Sequence, residues 1–500
     1  MGVRATQGPL FGVAAALWIT ACGGAAADGG VSALPDVPAG NETLAPGESL
    51  GPAVPLGGED PCPPRPLTLT DTLTAMLADV QTQPASSRPF LRYVSTGQFR
   101  PGPCDRSDEL ERAPGELARA RMAVSKLVNA MSREPSATVP EAVGPEGLLL
   151  RLDLRHYGWE RSVTLDGQSY RDAWQALVTR AALALELEGG AAGELSRQLD
   201  TRVPVLPASA FVATASRADI YYAVLRLPDT LLELKRELGI DASEDLDRGR
   251  WARAAFSNSG VSKEPRGVAR YRGTALPGGY FWQSFEYAPS ARSDALYLEP
   301  LATQADGHEV LFSLPNGLPA YFASAGDGTR LAESRFVVDP AQNNGRMQVT
   351  SSCVSCHNGG IITFEDTARS FVEDNADLFS DAVLARVQDT FPNESEMAAL
   401  RDADSQRMVE AAELAGQPVN APDPVSRLVL DYASSLTFDR LAAELFLDRA
   451  SLIERLPSLP EEIAAAATSG VLERSVFEAH YRQAACAIYE GTESAPVGCP

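Results

Sequence analysis

Residues 351–361 read SSCVSCHNGGI and place two cysteines and a histidine within five positions, in a chain with only four histidines and seven cysteines. The order Cys-x-x-Cys-His matches one chemistry closely. The sulfurs of Cys353 and Cys356 would add to the two vinyl groups of haem, forming thioethers, and His357 would then be held beneath the iron as its proximal ligand. Two other chemistries use similar spacings. A structural zinc site needs a fourth ligand, usually from a second Cys or His pair, and the remaining histidines (His156, His308, His480) are isolated. A thioredoxin-like dithiol usually opens a helix in a βαβ unit, whereas Asn358-Gly359-Gly360-Ile361 reads as a turn. The motif occurs once, which argues against a two-haem peroxidase design.

The sixth iron position would decide what such a haem does. A thioether sulfur closes the iron and raises its potential, which suits electron transfer; a vacant position admits peroxide or a diatomic gas. Met397, in PNESEMAAL, is the expected distal ligand; Met408, in SQRMVE, is the alternative, and Met347 lies just upstream of the motif. A histidine or an open site remain the other choices, and each methionine has ordinary core packing as its competing use.

The residues around these positions organise the rest of the chain. The N-terminus carries Arg4 and then PLFGVAAALWITA, an apolar run of signal-peptide length that is too short for a membrane span. It ends in ITAC, which resembles the lipobox of bacterial lipoproteins and implies cleavage before Cys22 with lipid on its sulfur. Such a protein is exported, tethered to the cell envelope by lipid, and carries no spanning helix. The expected division is a signal peptide over 1–21, a flexible Gly/Ala/Pro linker over 22–60, an α+β N-terminal domain over 61–340, a haem c-binding segment over 341–423 and a helical C-terminal segment over 424–500. Export makes disulfides permissible, so the other four cysteines suggest two bridges; sequence proximity favours Cys62 with Cys104 and Cys486 with Cys499, and leaves the other pairings open. A net charge of −23 argues against nucleic acid and against a broad electrostatic membrane contact; it fits a solvated acidic surface first, and steering of a partner with a basic surface second.

Periodicity predicts helices over 67–81, 115–132 and 169–190, and two short helices over 219–240 broken at Pro228. LLRLDLRHY alternates as a strand ending at His156, and GGYFWQSFEY (278–287) is aromatic and strand-like. Residues 308–331 read as strands joined by tight turns at Pro315-Asn316-Gly317 and Gly326-Asp327-Gly328. The approach to the haem motif, SRFVVDPAQNNGRMQVTSS, reads as strand and loop, and everything beyond the motif reads as helix almost to the end. The fold class is therefore mostly α with a small antiparallel β meander, an α+β chain with a helical, cytochrome c-like haem segment in its C-terminal half.

Eight stretches in order, FLRYVSTGQF, SKLVNAMS, LRLDLRHYGW, FVATASRADIYY, FSNSGVSKEPRGVARY, YFWQSFEY, GHEVLFSLPNGLPAYF and SSCVSCHNGGI, resemble large single-haem c-type cytochrome-like proteins of environmental bacteria. The resemblance covers roughly residues 88–480 and implies one functional unit made from the long N-terminal region and the haem segment; it implies no assigned reaction. His308 departs from it, standing where the family has glycine. The leading expectation is a lipid-anchored, extracytoplasmic one-electron carrier with one covalent haem c and a redox partner protein. The alternatives are a haem-dependent oxidoreductase, peroxidase-like or a dehydrogenase subunit, and a haem-based sensor with an open distal site. No nucleotide-binding glycine fingerprint, nucleophile elbow or HExxH helix occurs, and Asp153 and Asp366 read as strand or helix-cap acids rather than catalytic ones.

Overall fold

A computed structural model of the chain describes residues 67–99, 115–248, 251–257, 264–271, 275–276, 278–287, 295–339, 345–419, 421–492 and 495–499. The signal peptide, the linker, Cys22, Cys62 and Cys104 lie outside these residues.

The described chain is a mixed α+β structure. Its largest sheet has six strands in sequence order, Trp251–Phe256, Arg266–Tyr271, Phe281–Phe285, Gly307–Ser313, Pro319–Ala325 and Arg330–Leu331. Every neighbouring pair is antiparallel. The meander is thus larger than the sequence pattern suggested. Its firmest signal holds: Ser313 pairs with Pro319 across the turn at Asn316-Gly317. Gly317 there takes φ +86°, and Asn316 Oδ1 accepts from Leu318 N at 3.1 Å. A second sheet, in the order Glu141–Val143, Leu149–Asp153, Leu91–Ser95 and Val205–Pro207, is antiparallel except for its last pair.

Helix Leu69–Thr82 forms where its spacing predicted, N-capped by Thr68 Oγ1 accepting from Asp71 N at 3.1 Å. Helix Glu116–Ala130 also forms, but it is buried on all sides from Met122 to Ala130. One apolar face was expected; the burial of Ser125, Lys126 and Asn129 besides is not what a surface helix requires. The two short helices flanking Pro228 are Ala218–Leu225 and Leu231–Glu237. The long helix expected over 169–190 is absent. A six-residue helix, Ala173–Val178, is followed by irregular chain that carries Leu187 to a bridge with Pro496, and the next helix begins rather than ends at Gly190. Gly189 (φ +81°) and Gly190 (φ +42°) take left-handed backbone and set that boundary. His156 falls in a 3₁₀ turn after the strand Leu149–Asp153.

Two apolar clusters hold the structure. One joins the six-stranded sheet, helix Glu116–Ala130 and residues as late as Leu428. The other packs helix Leu69–Thr82 against the last helices, through Leu73, Met76, Phe477 and Tyr481. Cys486 and Cys499 form the expected disulfide, and Val497 N donates to Glu186 O at 2.8 Å, fixing the C-terminal tail to the irregular stretch before Gly189. No helix among the described residues is long and apolar enough to cross a membrane.

Candidate functional site

The haem-type motif forms the short helix Ser351–Cys356, with His357 at its C-cap. The hairpin Glu333–Val338 with Arg346–Gln348 delivers the chain to it, as the strand-and-loop reading of this stretch anticipated. Thr350, fully buried, precedes the helix at φ +94°, a backbone strained for a β-branched residue. Ser352 fixes the helix start: its Oγ donates to Asp339 Oδ2 at 2.5 Å and accepts from Gln348 N at 3.1 Å.

His357 is oriented by the turn that follows. Its Nδ1 lies 3.1 Å from Gly360 O, and a carbonyl only accepts, so Nδ1 carries the proton and Nε2 keeps the lone pair. The ring stacks on Tyr321 of the large sheet, with centroids 6.1 Å apart. Burial lowers the His357 pKa and favours the neutral imidazole, although the residue keeps some accessible surface. Gly360 has φ +116°, and a Cβ there would fall 2.4 Å from Ser405 Cβ. The glycine therefore permits close approach of helix Glu394–Leu414, whose Ser405 Oγ accepts from Ile361 N at 2.9 Å.

That helix carries both candidate methionines. Met408 lines a cavity of about 10 Å³ together with His357, Tyr321, Leu318, Val354 and Lys126. Met397 is equally buried but sits three turns earlier, about 16 Å away along the helix axis, and does not line the cavity. Met347 is buried on the strand Arg346–Gln348. Of the three, the structure brings Met408 to His357. The other histidines lie elsewhere: His308 on the opposite face of the sheet from Tyr321, and His480 on the last helix, bonded to Val476 O.

Cys353 has a free thiol, which burial pushes up to about 12. Cys356 is disulfide-bonded. Among the described residues no three His, Cys, Asp or Glu side chains gather in a way that could hold a metal ion.

Sequence reasoning missed a polar frame around the cavity. Lys126 Nζ donates to Asn358 Oδ1 and to Asp423 Oδ1, both at 2.8 Å, and all three residues are wholly or partly buried. Asn358, directly after the histidine, also accepts from Gln417 Nε2 at 2.8 Å and donates to Ala421 O at 2.8 Å. Ser125 Oγ donates to Ala415 O at 2.6 Å, and Asn316 Nδ2 donates to Asn129 O at 2.9 Å. Three of the stretches quoted above, SKLVNAMS, GHEVLFSLPNGLPAYF and SSCVSCHNGGI, thus meet at one place. The available signal was polar residues at core positions of a periodic helix, where an unpartnered Lys or Asn would be costly.

Whether haem fits is decided by donors and by room. The donors fit: an imidazole with its lone pair on Nε2, a thioether in the same cavity wall, and apolar walls from Leu318, Val354 and Ala412. The room does not yet exist, since about 10 Å³ holds one water. No family model, no curated protein and no solved structure matches this chain.

Proposed function

We propose that the protein is an extracytoplasmic, lipid-anchored monohaem c-type cytochrome that passes single electrons to a partner protein. The observation that carries this reading is Cys-x-x-Cys-His with the histidine proton fixed on Nδ1 and a methionine sulfur in the same cavity wall. Bound haem c would supply one reversible electron at its iron. Cys353 and Cys356 would hold it covalently, and His357 Nε2 and the sulfur of Met408, in preference to Met397, would be its iron donors. Tyr321 restricts rotation of the imidazole, and Gly360 O raises its basicity through the Nδ1 proton. Leu318, Val354 and Ala412 give the site apolar walls. Lys126 and Asp423 face each other as a neutral pair, so their charges largely cancel at the cavity. The lipid on Cys22 would hold the protein at the envelope, and the charge of −23 would favour a partner with a basic docking face.

The disulfide at Cys356 favours a second reading, thiol–disulfide chemistry at this motif. It is the weaker of the two. An attacking thiol works through its thiolate, and Cys353 at about 12 is almost wholly protonated at neutral pH. Thioether formation would first require reduction of the Cys356 disulfide. The test is mass spectrometry of acid-denatured protein made in cells with c-type maturation. A mass gain of one haem, lost in C353S/C356S, supports the cytochrome. Mature protein with no haem mass and an intact Cys356 disulfide would remove that reading.

A further inference from the structure

Among the described residues the buried arginines follow one rule with one exception. Arg92 bonds Asp172 and three backbone carbonyls, Arg270 bonds Asp404, and Arg474 bonds Glu444. Arg253 is as buried as any of them, at 0% exposure, yet its Nε, Nη1 and Nη2 all lack a hydrogen-bond partner. Aromatic rings surround it: the guanidinium carbon lies 5.2 Å from the centroid of Trp251, 4.8 Å from Phe285 and 6.0 Å from Phe391. Cation–π contacts use the face of a guanidinium and leave its in-plane N–H groups unsatisfied. A sealed cation with no acceptor is among the most unfavourable features a core can hold.

The surroundings read as a site. Arg253 pairs with Ala269 on the neighbouring strand, and Ala255 with Gly267, so two small residues flank the long side chain, with Phe285 and Leu296 packed over Gly267. Asp366 approaches but is committed: Oδ1 accepts from Ala255 N and Ala368 N, and Oδ2 from Arg369 N. Gln283 and His308, on the same sheet face, bond each other. Strand Trp251–Phe256 is the edge of its sheet, so the guanidinium lies one strand deep. Strand alternation puts this face opposite the one that presents Tyr321 to His357.

We propose that Arg253 is the recognition group of a second site, which takes a small planar carboxylate held by the in-plane N–H groups of the guanidinium and walled by Trp251, Phe285 and Phe391. A carboxylate matches the guanidinium fork in shape and charge, and the close approach of three aromatic rings favours formate or acetate over larger acids. This inference is independent of haem.

The test is equilibrium dialysis of the full-length protein against radiolabelled formate, at ionic strength held constant with sulfate. The expected result is saturable binding of one equivalent per chain, absent in R253M and about tenfold weaker in R253K, which keeps the charge and loses the fork. R253M is also expected to melt no lower than wild type in formate-free buffer, because it removes an unpaired buried charge. Two results overturn the proposal: no saturable formate or acetate binding by wild type, which needs no variant to fold, or binding that persists unchanged in R253M.

Discussion

Asp404 is the point at which the methionine-bearing helix is fastened to the sheet, and its removal gives the sharpest energetic test of the architecture. The side chain is fully buried. It accepts from Arg270 Nε at 2.6 Å and Nη2 at 3.0 Å, from Trp282 Nε1 at 2.8 Å, and from Arg407 Nη1 at 2.8 Å. Asp404→Ala strands the Arg270 guanidinium, itself only 8% exposed, along with the indole N–H. Breaking a buried pair costs about 3–5 kcal/mol, and an orphaned donor about 1–3 kcal/mol more. Both share one carboxylate, so the sum is not additive, and about 4–6 kcal/mol is expected. That is a large share of a typical domain's stability. The assay is urea unfolding followed by tryptophan fluorescence and circular dichroism together, since a chain of this size need not unfold in one step. The double variant R270M/D404L, with apolar replacements on both sides, is expected to return to within about 2 kcal/mol of wild type. A D404A protein within about 1 kcal/mol of wild type, or a double variant less stable than the single, would refute the claim that this ion pair fastens the helix.

Four further outcomes follow from named residues. Gly360→Ala places a methyl group against Ser405 at a backbone angle that disfavours any side chain, so a loss of at least about 2 kcal/mol is expected, partly recovered in G360A/S405G; unchanged urea midpoints would contradict it. His308 is held neutral by burial, its pKa pushed down to about 4. The unfolded chain takes up this proton below about 6.5 and the native chain only below about 4, so stability falls as pH drops through that window, by up to about 3 kcal/mol. H308Q should flatten that part of the slope in pH-dependent denaturation, and parallel wild-type and H308Q slopes would count against it. C486S/C499S opens a loop whose cysteines are 13 residues apart and should lose about 3 kcal/mol, with faster proteolysis of the tail; serine substitution is preferable to reductant, which would also attack the Cys356 disulfide. Lys126→Met leaves Asp423 buried without its cation and should lower stability by about 3 kcal/mol, more than K126M/D423N does; equal losses would mean that the pair is not coupled.

The parts legible in the sequence were those with strong local signals. The Asn316-Gly317 turn has the residue types its backbone angles require, and helix Leu69–Thr82 has a Thr cap and a regular apolar spacing. The stretch 169–190 misled because Ala and Leu favour helix locally, while Leu183, Leu185 and Leu187 are buried in an irregular segment packed in the second apolar cluster. Tertiary burial overrode propensity there. At the site, the sequence singled out Cys353, Cys356 and His357 by their spacing, and the structure sets them on one short helix and its C-cap. Met408 was not separable from Met397, since both are buried on one helix and only the docking of that helix against Gly360 and, through Asp404, against Arg270 determines which turn faces His357. Lys126, Asn358 and Asp423 were invisible for the same reason: their partners are 232 and 297 residues apart in the chain.

The most direct test of the central claim is the visible spectrum, oxidised and reduced, of the full-length protein matured with haem, compared with M408A and M397A. Wild type is expected to show a sharp reduced α-band and a weak far-red oxidised band from iron–thioether bonding, the far-red band lost in M408A and kept in M397A. Loss of that band in M397A with its retention in M408A would show that the helix presents a different turn to His357. A matured protein without any haem spectrum would contradict the account as a whole.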